Sequence, residues 1–242
     1  PQRFNVPRAY MITTQDSDLF TPVSKGIYLK GEKPFFANFR FSVQNHAEIL
    51  TSKGTAGIGT EFRAVMAPIT QMNGILTFMT SVMATEDNTS VRISGFNTYV
   101  AFSDGVSRTE ITFTLNKGQA YIIDGTGLNG NNHTGFIGAK IVADKPVSIT
   151  NGNFNGQYSP TVLNSSDILM DQGVPEDKLG QEFILMKGNG TTTSGMEKAL
   201  IVATEDNTEI YLNNNPNPVT VINAGQYYET DHTAYILQGS AH

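Results

Sequence analysis

A hexapeptide, Ala84-Thr85-Glu86-Asp87-Asn88-Thr89, returns unchanged 119 residues later as Ala203-Thr204-Glu205-Asp206-Asn207-Thr208. A chain that repeats at such a spacing builds one supersecondary unit several times and stacks the copies, because one unit cannot bury its apolar face alone. The match extends outward. Gly59-Thr60-Glu61-Phe62 returns as Gly180-Gln181-Glu182-Phe183, and Ile49-Leu50 with Gly54 as Ile168-Leu169 with Gly173. Leu115-Asn116-Lys117-Gly118-Gln119 returns as Ile222-Asn223-Ala224-Gly225-Gln226 at a spacing of 107, so the first copy holds about 12 extra residues near Asn97–Arg108. Toward the N-terminus, Ala9-Tyr10 matches Ala120-Tyr121 and Lys33-Pro34 matches Lys145-Pro146. The chain therefore divides into the C-terminal half of one repeat (1–54), a complete repeat (55–173) and the N-terminal half of a next repeat (174–242). Each half lacks partner strands, and a bare edge strand invites pairing. The two ends are expected either to complete one another or to draw on further chain. A weaker half-repeat, 57 residues apart, relates Ala84–Gly95 to Ala143–Gly152.

Within each copy the apolar residues alternate. Ile111, Phe113 and Leu115 flank Thr112 and Thr114; Val91 and Ile93 flank Arg92; Val147 and Ile149 flank Ser148; Ile210 and Leu212 flank Tyr211. Period two means strands with one buried face. Turns of Asp, Asn and Gly separate them, residues that accept left-handed backbone or bond their own chain. Strands are expected at Glu61–Ala67, Thr77–Ala84, Ser90–Phe96, Arg108–Leu115, Gln119–Ile123, Gly135–Val142 and Val147–Asn153. Helical candidates are short: His46–Ser52 and a turn near Pro175–Leu179. The fold class is all-β, built of repeated antiparallel β units. Units of 57 residues suit propeller-like blades, and units of 119 suit tandem β-sandwiches; both arrangements stay open.

Only 16% of residues are charged, and the net charge is −6. Lys and Arg stand singly, without the basic patch that phosphate neutralisation requires, so nucleic acid is not an expected partner. No apolar run approaches the roughly 20 residues of a membrane-spanning helix. With no cysteine there is neither disulfide nor thiolate metal site. The chain opens on Pro1 and shows no signal peptide, which reads as a processed chain or a piece of something longer.

Chemical motifs are sparse. Gly125-Thr126-Gly127-Leu128-Asn129-Gly130 fits G-x-G-x-x-G, but a dinucleotide site needs a helix next, and Asn131-Asn132-His133-Thr134 leads to another strand instead. The two Thr-Glu-Asp-Asn-Thr turns cluster oxygens, yet each supplies only two carboxylates and an amide, short of a calcium loop. They read as hairpin turns bonding local backbone donors. His46, His133, His232 and His242 hold no metal-ligand spacing. There is no nucleophile elbow and no spaced carboxylate pair. The chain reads as non-enzymatic, with no cofactor and no metal. Its ligand-binding candidates are Tyr158 with Asn155, in the Asn- and Gly-rich loop Asn151–Pro160, and Asn131 and Asn132. An exposed Tyr stacks on a sugar ring while amides bind hydroxyls.

Several blocks resemble a known family of surface proteins. Lys33-Pro34-Phe35-Phe36-Ala37-Asn38-Phe39-Arg40, Leu50-Thr51-Ser52-Lys53-Gly54, the Ala-Thr-Glu-Asp-Asn-Thr turns and Gln172–Phe183 resemble large surface proteins of gliding Bacteroidota. Those look like type IX secretion substrates with a gliding-motility-associated C-terminal sorting domain, which is absent here. The Asp-Lys-Pro strand signature is also similar to the IgGFc-binding N-terminal domain family. The resemblance implies an extracellular, cell-surface location and a role in adhesion or structure. Its expected partners are other surface proteins, glycans or surfaces, other parts of a larger polypeptide, or secretion machinery. A lectin-like carbohydrate-binding module is the alternative.

Overall fold

A computed structural model of the chain describes residues 7, 16–43, 46–158, 166–186, 188, 197–213 and 215–230. The repeat match at Ala9-Tyr10, together with His232 and His242, lies outside them. The all-β expectation holds: among the described residues the helical pieces are single 3-10 turns, and the strands pair antiparallel. In chain order the strands are β1 (Asn38–Val43), β2 (His46–Thr51), β3 (Ile58–Arg63), β4 (Thr77–Ala84), β5 (Thr89–Ser94), β6 (Ile111–Leu115), β7 (Ala120–Thr126) and β8 (Lys140–Gly156). They continue with β9 (Asp167–Gln172), β10 (Leu200–Val202), β11 (Thr208–Ile210), β12 (Thr220–Ile222) and β13 (Tyr227–Glu229).

The complete copy is organised by β8, a strand of 17 residues. Its first half runs between β5 and β3, and its second half between β4 and β9. One seven-stranded sheet follows the path β6-β5-β8-β4-β7, with β3 and β9 also on β8. The outer strands β6 and β7 are joined by the tight turn 116–119, so the sheet folds back into a barrel-like unit. It is not divided into four-stranded blades.

Two expected elements are corrected. Gly135–Val142 and Val147–Asn153 are not separate strands: residues 135–138 are turn, and one strand runs from Lys140 through Asp144-Lys145-Pro146 to Gly156. Ladder partners skip this tripeptide on both sides, because β5 pairs up to Ala143, β4 from Val147, and the β3 register jumps from Val142 to Val147. Pro146 fits because no ladder donor is needed there. The half-repeat therefore joins unlike shapes: the chain reverses after Ala84 but only bends after Ala143. His46–Thr51 is likewise strand β2, zipped onto β1 with Phe39 opposite Leu50, not a helix. Pro175–Leu179 does hold a single 3-10 turn, Glu176–Lys178.

Inward residues of the pleat make the core: Phe62, Val82, Val91, Ile93, Leu115, Ile123, Ile141, Val147 and Ile149 are all buried. The extra segment after Asn97 contributes Val100 and Phe102. Phe102 meets Phe96 edge-on at 5.5 Å and Phe136 at 6.0 Å, while Phe136 stacks on Phe78 at 5.0 Å. The insertion thus plugs one end of the barrel with aromatic carbon, where edge-to-face geometry is favoured.

The last strands reproduce the register of the complete copy. Met83 faces Ala120 and Val202 faces Tyr227; Thr89 faces Leu115 and Thr208 faces Ile222. Each pair sits at the sequence spacings of the repeat.

Candidate functional site

The repeated turns have a local chemical logic. Asn88 and Asn207 both adopt left-handed backbone, φ 53° and 56°, which Asn tolerates. The Asp87 carboxylate accepts from the Lys117 amide at 3.0 Å, and the Asp206 carboxylate from the Ala224 amide at 3.1 Å. The Asn88 amide donates to Asn116 Oδ1 at 3.2 Å, and the Asn207 amide to Asn223 Oδ1 at 3.0 Å. Thr89 and Thr208 each donate their hydroxyl back to the carbonyl three residues earlier, both at 2.8 Å. Two hairpin turns are thereby clasped together in each copy. The clustered oxygens serve backbone donors, and among the described residues no group of three His, Asp or Glu is placed to hold a metal.

The copies then meet through Gly138 and Gly225. Gly138 has φ +82°, and a Cβ there would lie 1.9 Å from the Gly225 carbonyl oxygen. Beside this contact lies a cleft of about 910 Å³. One wall is Arg63 at the end of β3, Val65 and Met66 just beyond it, with Tyr158 and Leu169; the other is Lys198 and the β10 residues Leu200 and Val202. Arg63 closes the cleft at one end. Its Nε lies 3.0 Å from Glu176 Oε1, and its Nη1 and Nη2 donate to the carbonyls of Gly138 (3.2 Å) and Thr204 (3.4 Å). Lys140 Nζ bridges Glu176 at 2.6 Å and Glu61 at 2.5 Å. That ammonium, donating to Glu61, holds its carboxyl below the ordinary range. On the other rim Lys198 pairs with Glu229 at 2.6 Å and stands 5.5 Å from the centre of the Tyr158 ring.

The four candidate residues do not converge. Tyr158 is half-buried, not exposed as expected, and its hydroxyl is enclosed. Burial, then the Glu229 carboxylate, pushes its pKa up. Asn155 Nδ2 donates to the Ile75 carbonyl at 2.8 Å. Asn131 turns back on its neighbour, its amides donating to Asn129 Oδ1 at 2.8 and 3.0 Å. Asn132 is buried in the wall of a separate recess. Its Oδ1 accepts from the Ala101 amide at 2.8 Å, and its Nδ2 donates to the carbonyls of Ala101 and Thr126, both at 2.7 Å. The glycine motif leads from β7 into a turn and the 3-10 turn Gly130–Asn132, with no helix to hold a pyrophosphate. Nothing in the sequence marked Arg63 or Lys198. The block that precedes Arg63 does repeat, but its counterpart position is Ile184.

An antiparallel β scaffold repeated in tandem, with a mostly apolar cleft where the copies join, is the class of protein this fold defines. The family described as IgGFc binding protein matches residues 47–242. The chain belongs to that family. No curated protein and no solved structure matches it. No helix among the described residues is long and apolar enough to cross a membrane.

Proposed function

We propose that this protein is a non-enzymatic binding scaffold of the cell surface or its surroundings, adhesive or structural in role, whose partners are other proteins. The observation that carries this reading is the recurrence of the clasp, bond for bond, in successive copies. Such repetition multiplies weak contacts into avidity, and rigid strands display loops for recognition. The family description supports a protein partner, since it names binding to the Fc part of IgG. The resemblance to surface proteins of gliding bacteria supports export and adhesion in motility.

Beads coated with the chain test the reading. Saturable retention on surfaces bearing IgG Fc or whole bacterial cells is expected, with no signal on a glycan array. Retention equal to that of bare beads on every protein surface overturns it. A glycan signal that Tyr158→Ala removes transfers the reading to carbohydrate binding.

A further inference from the structure

The loops that close one end of the barrel are drawn from charge-free sequence. The stretches 64–85, 93–103, 125–139 and 146–158 contain no Asp, Glu, Lys or Arg. Main-chain bonds tie their loops together at this end. The Ile69 amide donates to the His133 carbonyl at 2.9 Å, the Gly127 amide to the Leu76 carbonyl at 2.8 Å, and the Asn97 amide to the Gly135 carbonyl at 2.8 Å. Asn155 joins the same end through its bond to the Ile75 carbonyl. The one imidazole in these stretches, His133, lies 3.3 Å from the Gly127 carbonyl. Charged groups that border the loops are already matched: Arg63 and Lys140 meet Glu176, and Arg108 meets Asp104. Asp124 keeps one carboxylate oxygen away from solvent.

What this end shows to solvent is large and apolar. Met72, Ile75, Tyr99 and Leu128 are 62%, 60%, 74% and 66% exposed. They are neighbours. Leu128 lies against the loop at Gly74, where a Cβ would be 3.2 Å from its Cδ1, and Asn129 Nδ2 reaches the Tyr99 carbonyl at 3.4 Å. Leu128 thus stands in the middle, with Met72 and Ile75 on one side and Tyr99 on the other. Beside it opens the recess of about 320 Å³, walled by Ala101, Phe102, Thr126 and Leu128. Asn132 in the same wall is engaged by main chain through both ends of its side chain, which leaves the recess suited to carbon. Single apolar residues are ordinary on a surface, but a contiguous group stripped of charge marks a contact site.

We propose that this end of the barrel is a self-association surface, on which a second copy of the chain docks across a two-fold axis near Leu128. Three features of the patch select a second copy over other neutral occupants. Projecting side chains and a recess lie side by side, and a two-fold contact uses each of them on both partners; a lipid surface engages only the projections. Met and Tyr exposed where charge is depleted is the composition of a protein interface core. Finally, a chain of net charge −6 repels its own copies in most orientations, whereas this end brings no unmatched charge to be desolvated. The contact needs no outside partner, so it goes beyond the binding proposed above and stands apart from it. Scaffolds paired end to end in this way join like surface to like surface.

Sedimentation of the chain is expected to show a monomer–dimer equilibrium that shifts toward dimer with protein concentration. High salt should not weaken it, because no ion pair across the contact is there to be screened. Met72→Glu combined with Leu128→Glu should leave only monomer, without shifting thermal unfolding, because both residues are exposed. The chain has no cysteine of its own. Leu128→Cys should therefore give a disulfide-linked dimer under mild oxidation, much faster than Thr112→Cys, an exposed position on β6. This second readout does not depend on how the Glu variant folds. The proposal falls if the chain sediments as a monomer at every concentration; flotation of that monomer with phosphatidylcholine vesicles assigns the patch to lipid instead. It falls equally if a dimer survives the double Glu substitution, or if Leu128→Cys links no faster than Thr112→Cys.

Discussion

Asn132 behaves as a piece of backbone. Its amide closes three main-chain groups that would otherwise be buried without partners. Asn132→Ala is therefore expected to cost about 2–3 kcal/mol, read as a lower urea midpoint at unchanged slope. Asp124 shows the opposite case. One of its carboxylate oxygens is buried without a partner, and burial first, then the nearby Asp16 and Asp104, pushes its pKa up. A carboxyl that titrates higher folded than unfolded opposes folding once ionised, so its penalty fades as pH falls through the folded value. Asp124→Asn should stabilise the protein by about 1 kcal/mol at neutral pH and lose that advantage in acid; equal stability of the two across pH would refute it. These residues were illegible in the sequence for one reason. An Asn in a Gly-rich loop looks solvated, and only the fold brings Ala101 across to cover Asn132. Tyr158 was misjudged the same way, because the chain that buries its hydroxyl comes from another copy.

At the scale of elements, the hairpins were legible because two codes agreed, alternation along the strand and Asn or Gly at the turn. β8 was not. Asp144-Lys145-Pro146 spells a turn, and only the gap left in both flanking ladders turns it into a bend. β2 failed for a different reason: Ala47, Glu48, Ile49 and Leu50 have mixed propensity, and pairing with β1 decides the outcome. The clasp provides an element-level test. The first clasp is backed by Lys145 and Asp144 of β8; among the described residues the second has no such backing. Asp87→Ala should cost about 1 kcal/mol of global stability. Asp206→Ala should leave the main urea transition in place and act only on the local opening of β10–β13, seen by hydrogen exchange.

For the whole molecule, order should follow the completeness of the core. The inward residues Ile201, Ile210 and Leu212 are half-buried, whereas their counterparts Val82, Val91 and Ile93 are buried. Amides of β10–β13 are expected to exchange at least about tenfold faster than those of β4–β7, since local opening tracks missing apolar contact. Equal protection would contradict this link between depth of burial and local opening. Gly138→Ala tests the junction: with its left-handed backbone and the Gly225 carbonyl at contact distance, the extra carbon must part the copies. It should loosen β10–β13 while sparing the barrel. The repeat itself was written openly in the sequence; which strand pairs with which was not. Nor was the layer architecture it would build, because blade, sandwich and barrel share the same alternation.

Having one clasp encoded twice also poses a sorting problem during synthesis. The Asn88 turn can close on Asn116, 28 residues away, or on the chemically equivalent Asn223, more than a hundred residues farther on. Loop-closure entropy favours the shorter loop by about 1.4 kcal/mol, roughly a tenfold bias, before any packing distinguishes the two. A ribosome that releases Asn116 long before Asn223 strengthens that bias further. The chain's length between its twin locks is thus itself a proofreading device against crossed pairing of its own copies.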